Sequence, residues 1–275
     1  MAGENGYETP GVAGSGAIAC GVAAVATTVA DTVLLARSEA SAEKAKARVE
    51  KACGKLEGGD ATRLTVTTGA ADLAGCDIVI ESIVEEVEPK GELLAKVATA
   101  APDADLATTT SSLGVAEIAA AGGVEDRLFG LHVFNPVPRM DLIEVCFPGG
   151  LREGTCEKAL AWCEALGKTA VEVPDQAGFV VNRLLFPFLF DAVRVMERTG
   201  LDAEAIDTCM KLGAGHPMGP LALLDFVGLD VSKAIGDALH ADTSDPAHDP
   251  PGLMVEMVGE GKLGRKSGQG FYAYG

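Results

Sequence analysis

The stretch that decides the fold covers residues 10–30 and reads PGVAGSGAIACGVAAVATTVA. Its opening residues 10–13 (PGVA) are a short apolar run that predicts a strand, and residues 18–30 predict a helix built from small side chains. Between them, residues 14–19 (GSGAIA) fit the pattern GxGxxA. A strand, a glycine-rich turn and a helix in this order are typical of the start of a dinucleotide-binding domain.

The small residues of this turn have separate physical tasks. Gly14 permits a tight turn, Gly16 lets the backbone approach a pyrophosphate, and Ala19 allows the helix to pack closely on the strand. Together with Ala17 and Ile18 they present the unpaired N–H groups of a helix N-terminus to the phosphates. A turn that serves packing alone is the other interpretation. Its place at the start of a strand–helix–strand pattern favours the dinucleotide site.

Outward from this turn, short apolar runs alternate with helical patterns. Further strands are predicted at residues 32–36, 64–67, 77–82, 105–109, 128–134, 141–146 and 169–173. Helices are predicted between them at residues 41–56 and 90–101. Strands that alternate with helices predict an α/β fold, with a Rossmann-type parallel sheet wound on both faces.

The alternation of strands and helices ends after Pro174 and Asp175, and only helical patterns follow. Residues 178–198 are apolar on most faces, and helical patterns follow at residues 202–213, 220–239 and 252–260. We therefore expect two domains, an α/β dinucleotide-binding domain at residues 1–175 and a smaller all-helical domain at residues 176–275. A helix that is apolar on most faces is buried by more than one neighbour, so residues 179–190 are candidates for a domain core and a subunit interface.

Composition and charge exclude several classes of protein. The 275 residues carry a formal net charge of −18, which argues against nucleic acid and acidic membrane surfaces as partners. Seven cysteines without CxxC spacing and four histidines argue against a metal site. Free thiols favour a reducing compartment, and the acidic, polar start of the sequence is unlike a secretory signal. We expect a cytoplasmic protein in which an anionic cofactor must find local positive charge.

The end of the second predicted strand bears on the choice of cofactor. NAD-binding domains usually place an Asp or Glu there, whereas NADP-binding domains present an Arg. Here the strand ends Ala36-Arg37-Ser38, and no carboxylate follows until Glu39. Arg37 is suited to grip a 2′-phosphate and Ser38 to donate to it, with Lys44 adding charge. We expect NADP, with NAD as the alternative; an exposed arginine in a turn is the other interpretation of Arg37.

Motifs further along the chain point to one family. They are TTTSSL (108–113), HVFNPVPRMDLIEV (132–145), AGFVVNRLL (177–185), GHPMGPLALLDFVGLD (215–230) and GRKSGQGFYAYG (264–275). In this order, from about Gly11 onward, the chain resembles the 3-hydroxyacyl-CoA dehydrogenase family, including its 3-hydroxybutyryl-CoA members. The combination is highly specific, whereas the glycine turn alone is not.

The resemblance implies an oxidoreductase of fatty acid metabolism that interconverts a 3-hydroxyacyl thioester and its 3-oxoacyl form with a nicotinamide cofactor. It makes His132 the general acid/base and Glu144 its orienting partner. Histidine exchanges protons readily near neutral pH, and a carboxylate on its other ring nitrogen fixes the tautomer. We expect a hairpin-like reversal through Pro136 and Pro138 to return Glu144 to the histidine.

Further site residues follow from the same resemblance. It implies that Ser111 shares the proton with His132, that Asn135 holds the neighbourhood of the histidine, and that Asn182 reaches the substrate or the nicotinamide. From the residues alone, a helix N-cap, a turn residue and a buried helix amide respectively stay open. The resemblance also implies a homodimer through the helical domain. The cofactor contacts that it adds are Ile83, Val84, Glu85 and Lys90.

Two departures from the family bear on the cofactor and the carrier. An acidic residue is usual where Ala36 and Arg37 stand, which supports NADP. A lysine-rich helical hairpin that helps to hold CoA is reduced here to residues 55–62. A substrate tethered to an acyl carrier protein is therefore an alternative to acyl-CoA, with Arg139 as a contact to substrate or carrier phosphate.

Two competing functions fit the sequence less well. A dehydrogenase of free β-hydroxy acids typically depends on a lysine as its acid/base, and the His–Glu arrangement argues against it. A catalytically silent NAD(P)-binding protein predicts loss of the chemical residues, yet Ser111, His132, Glu144 and Asn182 are all present. The thioester dehydrogenase is therefore the favoured function.

Two segments of the helical domain predict structure rather than chemistry. The GHPMGP segment (215–220) predicts a rigid turn, so His216 is not a second catalytic histidine. The last twelve residues predict a docking tail with Phe271 and Tyr272 as anchors.

Overall fold

The computed structural model describes residues 6–275, and the chain divides into two compact units, Met1–Asp175 and Gln176–Gly275. The first unit is built on a sheet, and the second is built from helices. In the part of the chain that the structure describes, no helix is long and apolar enough to cross a membrane.

An eight-stranded sheet forms the centre of the first unit. Its strands are β1 (Pro10–Ala13), β2 (Thr32–Leu35), β3 (Leu64–Thr67), β4 (Ile78–Glu81), β5 (Asp105–Thr108), β6 (Leu128–Val133), β7 (Leu142–Cys146) and β8 (Thr169–Glu172). They lie in the order β3-β2-β1-β4-β5-β6-β7-β8, and every neighbouring pair is parallel except β6 with β7. The predicted α/β fold is confirmed. The expected parallel run ends at β6, because the short connection that follows it permits only an antiparallel neighbour.

The helices of the first unit connect these strands. They are α1 (Ala17–Ala26), α2 (Glu39–Cys53), α3 (Val87–Ala100), α4 (Val115–Gly122) and α5 (Thr155–Ala165). The helix α1 is the most deeply placed, since residues 19–26 are all buried. A Cβ added at Gly21 would lie 2.9 Å from Val137, so α1 packs directly on the loop that follows β6. Small side chains along α1 therefore make this close approach possible.

The second unit consists of further helices around its own apolar core. They are α6 (Val181–Thr199), α7 (Ala203–Gly213), α8 (Pro220–Val227), α9 (Leu229–Thr243) and α10 (Gly252–Gly259). The sequence predicted one helix over residues 220–239, and this prediction is wrong. Gly228 has φ +104° between α8 and α9, a conformation that glycine adopts readily and other residues do not. The chain therefore turns at Gly228 and starts a new helix.

The end of the chain docks onto the second unit through the buried carboxylate of Asp225. Its oxygens accept hydrogen bonds from the N–H groups of Phe271 and Tyr272, each at 2.9 Å, and from the Tyr274 hydroxyl at 3.0 Å. Phe271 and Tyr272 also pack against the apolar core of this unit. The predicted docking tail is confirmed, and a buried carboxylate is its polar anchor.

We expect Asp225→Asn to lower the free energy of unfolding by about 2–3 kcal/mol, because an amide NH₂ group would face a backbone N–H that now donates to a carboxylate oxygen. Urea denaturation of both proteins measures this difference. Asp237→Asn, in an exposed ion pair with Lys233, is the matched control and should change stability by less than about 0.5 kcal/mol. Equal stability of D225N and the wild type would contradict the anchoring role.

Candidate active site

A buried pair of His132 and Glu144 lies at the centre of the candidate site. The antiparallel register of β6 and β7 places these two residues opposite each other. His132 Nδ1 is 2.7 Å from Glu144 Oε2, and the residues are 4% and 2% exposed. The predicted return of Glu144 to the histidine is confirmed. With Nδ1–H donating to the carboxylate, the neutral imidazole carries its basic lone pair on Nε2.

The loop between these strands is held by a residue that the sequence did not reveal. Lys168 Nζ donates to the carbonyl oxygens of Val137 at 3.1 Å and Met140 at 2.9 Å. The Phe134 ring lies 4.5 Å from the His132 ring, between centroids. Asn135 is exposed at the start of the loop. The imidazole is therefore held by Glu144 of β7 and packs on Phe134, and the loop is held by Lys168, just before β8.

The glycine turn lies where the sheet order changes direction. The strand β1 has β2 on one side and β4 on the other, and ligands of such sheets bind at this switch point. Gly14 N donates to Leu35 O at 2.9 Å, and a Cβ added at Gly14 would lie 2.1 Å from Ser82 O and 3.2 Å from Ala19 Cβ. Gly14 is therefore required by the packing of the turn itself.

Gly16 differs from Gly14 in having no such packing reason. It is exposed, its φ is −73°, and no atom of the described chain lies within 4 Å of a Cβ added there. It is the N-cap of α1 and offers no side chain to the first N–H groups of the helix, beside exposed Ala17 and half-buried Ile18. An open glycine before uncapped helix N–H groups fits the approach of a dinucleotide pyrophosphate.

The residues after β2 are arranged around the start of α2. Arg37 is exposed. Ser38 is the N-cap of α2, and its hydroxyl oxygen accepts from Ser41 N at 3.3 Å. Glu39 Oε1 accepts from Thr68 Oγ1 at 2.8 Å. Ser38 thus has a capping role that the sequence did not predict, and the nearest carboxylate is bound by a residue after β3.

Lys90 is buried against two carboxylates. Its Nζ lies 3.0 and 3.1 Å from the two oxygens of Glu81 and 3.3 Å from Glu85 Oε2, and Lys90 is 1% exposed. The cofactor contact that the family resemblance implies for Lys90 would require this ammonium to leave both carboxylates. Ile83 and Val84 lie between the two glutamates in the sequence and, by contrast, are exposed.

Glu85 gathers the loop that contains Ser111. Its Oε1 accepts from the N–H groups of Ser111 at 2.7 Å and Ser112 at 3.0 Å, and from the Thr110 hydroxyl at 2.8 Å. Burial alone would raise the pKa of Glu85, but the Lys90 ammonium and these hydrogen bonds hold it below its usual value. The Ser111 hydroxyl lies 3.2 Å from the same oxygen.

The helix after this loop corrects one alternative interpretation of Ser111. The helix α4 begins at Val115 with Gly114 as its N-cap, so Ser111 is not a helix cap. Both oxygens of Asp175 accept at 2.8 Å, one from Val115 N and the other from Ala116 N. A carboxylate sixty residues away therefore satisfies the start of α4, and local sequence gave no signal of it.

A basic groove of about 430 Å³ lies beside α1, α2 and the loop after β6. Its cations are Arg48, Lys55 and Arg139, and Asn135 also lines it. Arg48 Nη1 donates to Ser15 O of the glycine turn at 3.3 Å. The sequence singled out Arg139 but not Arg48, whose partner becomes evident only when α2 packs beside the turn. Locally, an acidic protein thus offers positive charge to an anion.

Two residues of interest belong to the second unit. Asn182 lies in the first turn of α6 and is 8% exposed. The His216 ring lies 5.2 Å from the Phe188 ring, between centroids, which agrees with a structural histidine. Within residues 6–275 no cluster of His, Cys, Asp and Glu is suited to hold a metal ion.

Comparison with known proteins identifies relatives along both units. The family model of the 3-hydroxyacyl-CoA dehydrogenase NAD-binding domain matches residues 9–176, and that of the family's C-terminal domain matches residues 178–274. Human mitochondrial hydroxyacyl-coenzyme A dehydrogenase is 41% identical, with 96% of this chain and 90% of the human protein covered. A 3-hydroxybutyryl-CoA dehydrogenase of Mycobacterium tuberculosis is 37% identical, with 96% and 97% covered.

Solved structures extend this similarity to the fold. The crystal structure of M. tuberculosis FadB2 aligns with a TM-score of 0.93 at 36% identity, covering 98% of this chain and 99% of that one. That of (S)-3-hydroxybutyryl-CoA dehydrogenase PaaH1 from Ralstonia eutropha aligns with a TM-score of 0.91 at 35% identity, with the same coverage. The chain belongs to the 3-hydroxyacyl-CoA dehydrogenase family.

Proposed function

We propose that this protein interconverts 3-hydroxyacyl-CoA and 3-oxoacyl-CoA by hydride transfer with a nicotinamide dinucleotide. The observation that carries the proposal is the buried 2.7 Å contact between His132 and Glu144. The relatives named for this reaction, among them 3-hydroxybutyryl-CoA dehydrogenases, support the substrate class. A catalytically silent protein is not favoured, because these relatives are named as dehydrogenases.

The proton of the substrate alcohol is handled by His132. In the oxidative direction Nε2 accepts the hydroxyl proton, and in the reductive direction it returns a proton to the oxygen formed from the ketone. Glu144 holds the tautomer and stabilises the imidazolium in a site shielded from water. A bound nicotinamide supplies the hydride acceptor or donor. We assign to Ser111 a hydrogen bond to the substrate oxygen, so that its hydroxyl shares the proton with His132.

The remaining site residues stay proposals, some from the glycine motif and the others from the family resemblance. Asn182 contacts the substrate or the nicotinamide, and Asn135 keeps the neighbourhood of the histidine in place. Gly14, Gly16 and the first turn of α1 hold the pyrophosphate. The residues along the path of the cofactor are Ala17, Ile18, Ala19, Ile83, Val84, Glu85 and Lys90, with Lys90 acting through the carboxylates that surround it.

NADP is the cofactor that we propose. Arg37 follows β2 where an acidic residue would repel a 2′-phosphate, and it is exposed to receive that group. Glu39, the first carboxylate after the strand, is bound to Thr68 at 2.8 Å, which supports the absence of a ribose-binding acid. NAD is the alternative, consistent with the description of the family's first domain.

CoA is the carrier that we propose. The groove of Arg48, Lys55 and Arg139 supplies three cations for its phosphates, in place of the helical hairpin that the family carries. Here α2 ends at Cys53, and only a short 3₁₀ turn over Ala61–Arg63 precedes β3. The names of the relatives do not favour an acyl carrier protein.

A homodimer and a cytoplasmic location stay predictions. The second unit exposes Leu184 and Leu212, with 72% and 83% of each residue accessible. Large exposed apolar side chains on one unit support a contact surface for a second copy.

The first test is the initial rate of acetoacetyl-CoA reduction with NADPH and NADH in parallel. We expect faster turnover with NADPH, and Arg37→Ala to lower kcat/KM for NADPH by about 10- to 100-fold while the value for NADH changes little. Lys46→Ala, which removes an exposed cation on α2, is the matched control. A wild-type preference for NADH would overturn the cofactor assignment and leave the dehydrogenase assignment standing.

We expect His132→Gln to lower kcat by about 10²- to 10⁴-fold, because glutamine keeps a polar side chain but exchanges no proton at neutral pH. The affinity for NADPH, measured by fluorescence titration, should stay within about twofold. His216→Gln is the control for loss of a histidine and should retain wild-type kcat. A fully active H132Q enzyme would remove His132 from the mechanism.

The two glycines of the turn should respond differently to alanine. We expect Gly14→Ala to lower the free energy of unfolding by about 2 kcal/mol or more, since its Cβ would overlap Ser82 O. Gly16→Ala should fold with wild-type stability and bind the dinucleotide at least about tenfold more weakly, because the methyl group occupies the space for the phosphate. Urea denaturation and dinucleotide titration measure both effects. Wild-type affinity in G16A would contradict the placement of the pyrophosphate.

A further inference from the structure

A buried ion pair between Glu81 and Lys90 lies beside the candidate site. Glu81 is the last residue of β4 and is 0% exposed, and Lys90 in α3 is 1% exposed. The Lys90 ammonium is within 3.0 and 3.1 Å of the two Glu81 oxygens. Burying such a pair carries a desolvation penalty that an apolar pair of similar volume avoids. Stability alone therefore does not account for it.

Glu81 is also bonded to the ends of two neighbouring segments. Its Oε2 accepts from the hydroxyl of Thr108, the last residue of β5, at 2.7 Å. Its Oε1 accepts from Ile83 N at 2.7 Å. Thr109 N donates to the Glu81 carbonyl oxygen at 3.0 Å, so backbone and side chain tie the same two strand ends together. One carboxylate thus fixes the point where the Ser111 loop leaves β5.

The second partner of Lys90 extends the network to Ser111 itself. Lys90 Nζ lies 3.3 Å from Glu85 Oε2, while Glu85 Oε1 accepts from Ser111 N at 2.7 Å. The network therefore reaches the Ser111 loop from both sides: Thr108 fixes its start, and Glu85 holds its backbone N–H groups. All of these contacts lie within the first unit.

We propose that Glu81 and Lys90 are positioning residues that hold Ser111 in its catalytic place. The proposal rests on the role assigned to Ser111 under the proposed function. Reacting groups must be held to within a fraction of an ångström, and a displacement of 1 Å lowers rates by about 100-fold. Lys90 is bound to Glu81 at the end of a buried strand and also attracts Glu85, which holds Ser111 N. It therefore restricts the movement of the Ser111 loop relative to the sheet.

The effect should fall on turnover. We expect Glu81→Gln and Lys90→Met to lower kcat by about 10- to 100-fold while KM for acetoacetyl-CoA changes less than about threefold. Lys90→Arg keeps the cation and should retain more of the activity than K90M. Lys233→Met removes an ammonium from the exposed pair with Asp237 and should leave kcat unchanged. Thermal unfolding of each variant reports whether it is folded.

A double-mutant cycle with Ser111→Ala tests whether Glu81 acts through Ser111. If it does, S111A should cost much less in the E81Q background than in the wild type, because the hydroxyl is already displaced. Independent, multiplicative losses would overturn the proposal. So would wild-type kcat in folded E81Q and K90M, or recovery of wild-type kcat when the two substitutions are combined.

Thr108→Val keeps the cycle decisive if E81Q does not fold. Valine has the shape of threonine and removes the 2.7 Å hydrogen bond to Glu81, together with a weaker 3.3 Å bond from Thr110 N. We expect a smaller loss of kcat, of about three- to tenfold, that is again not multiplicative with S111A. If S111A alone retains wild-type kcat, the role assigned to Ser111 fails. If S111A is impaired and T108V is not, only the positioning role fails.

Discussion

A carboxylate as deeply buried as that of Glu144 is stable only where a donor meets it, and the His132 imidazole does so at 2.7 Å. The reversal of the sheet after β6 satisfies this requirement, because an antiparallel β7 in this register places the two residues opposite each other. The strand β8 then continues in the direction of β7. The helix α1 packs on the loop between β6 and β7, because Gly21 has no side chain to separate it from Val137. One helix therefore holds both the glycine turn at its start and the loop that follows the histidine.

Most strands were predictable because each is a short apolar run between polar turns. The bounds of β1 and β3 were predicted to the residue, and those of the remaining strands differ by one residue at one or both ends. The spacing of apolar residues gives no information on the backbone conformation of a single glycine, so the turn at Gly228 was missed. The helix α5, with its mixed polar and apolar residues, was not anticipated. Within the site, the His132–Glu144 contact followed from the reversal. The cap of α2 by Ser38 is local, since its partner is Ser41 N, and it was still missed. The Glu81 partner of Lys90 lies on another element, where no local pattern points to it.

The net charge of −18 makes the distribution of cations more informative than their number. The uncapped N–H groups of α1 and the Arg48 guanidinium converge on the glycine turn, the latter through Ser15 O at 3.3 Å. Lys55 and Arg139 line the same groove. In a chain of negative net charge, such a cluster of cations creates a local positive potential that favours an anionic group there. The cations of α2 and of the loop after β6 are the basis of our proposal that CoA binds without the hairpin of the family.

A segment of five residues, from Glu81 to Glu85, connects the parts of the site in the first unit. Ser82 O lies where a Cβ of Gly14 would be, Glu81 is bonded to Lys90, and Glu85 holds the N–H of Ser111. Beyond Glu81 the segment forms bends rather than a strand, and three residues separate its ends, so the two ends lie close together. The side chains at its two ends, Glu81 and Glu85, are both paired with the Lys90 ammonium. The glycine turn and the Ser111 loop are therefore both in contact with one short segment, and the buried ion pair is the part of it that an apolar core would not supply.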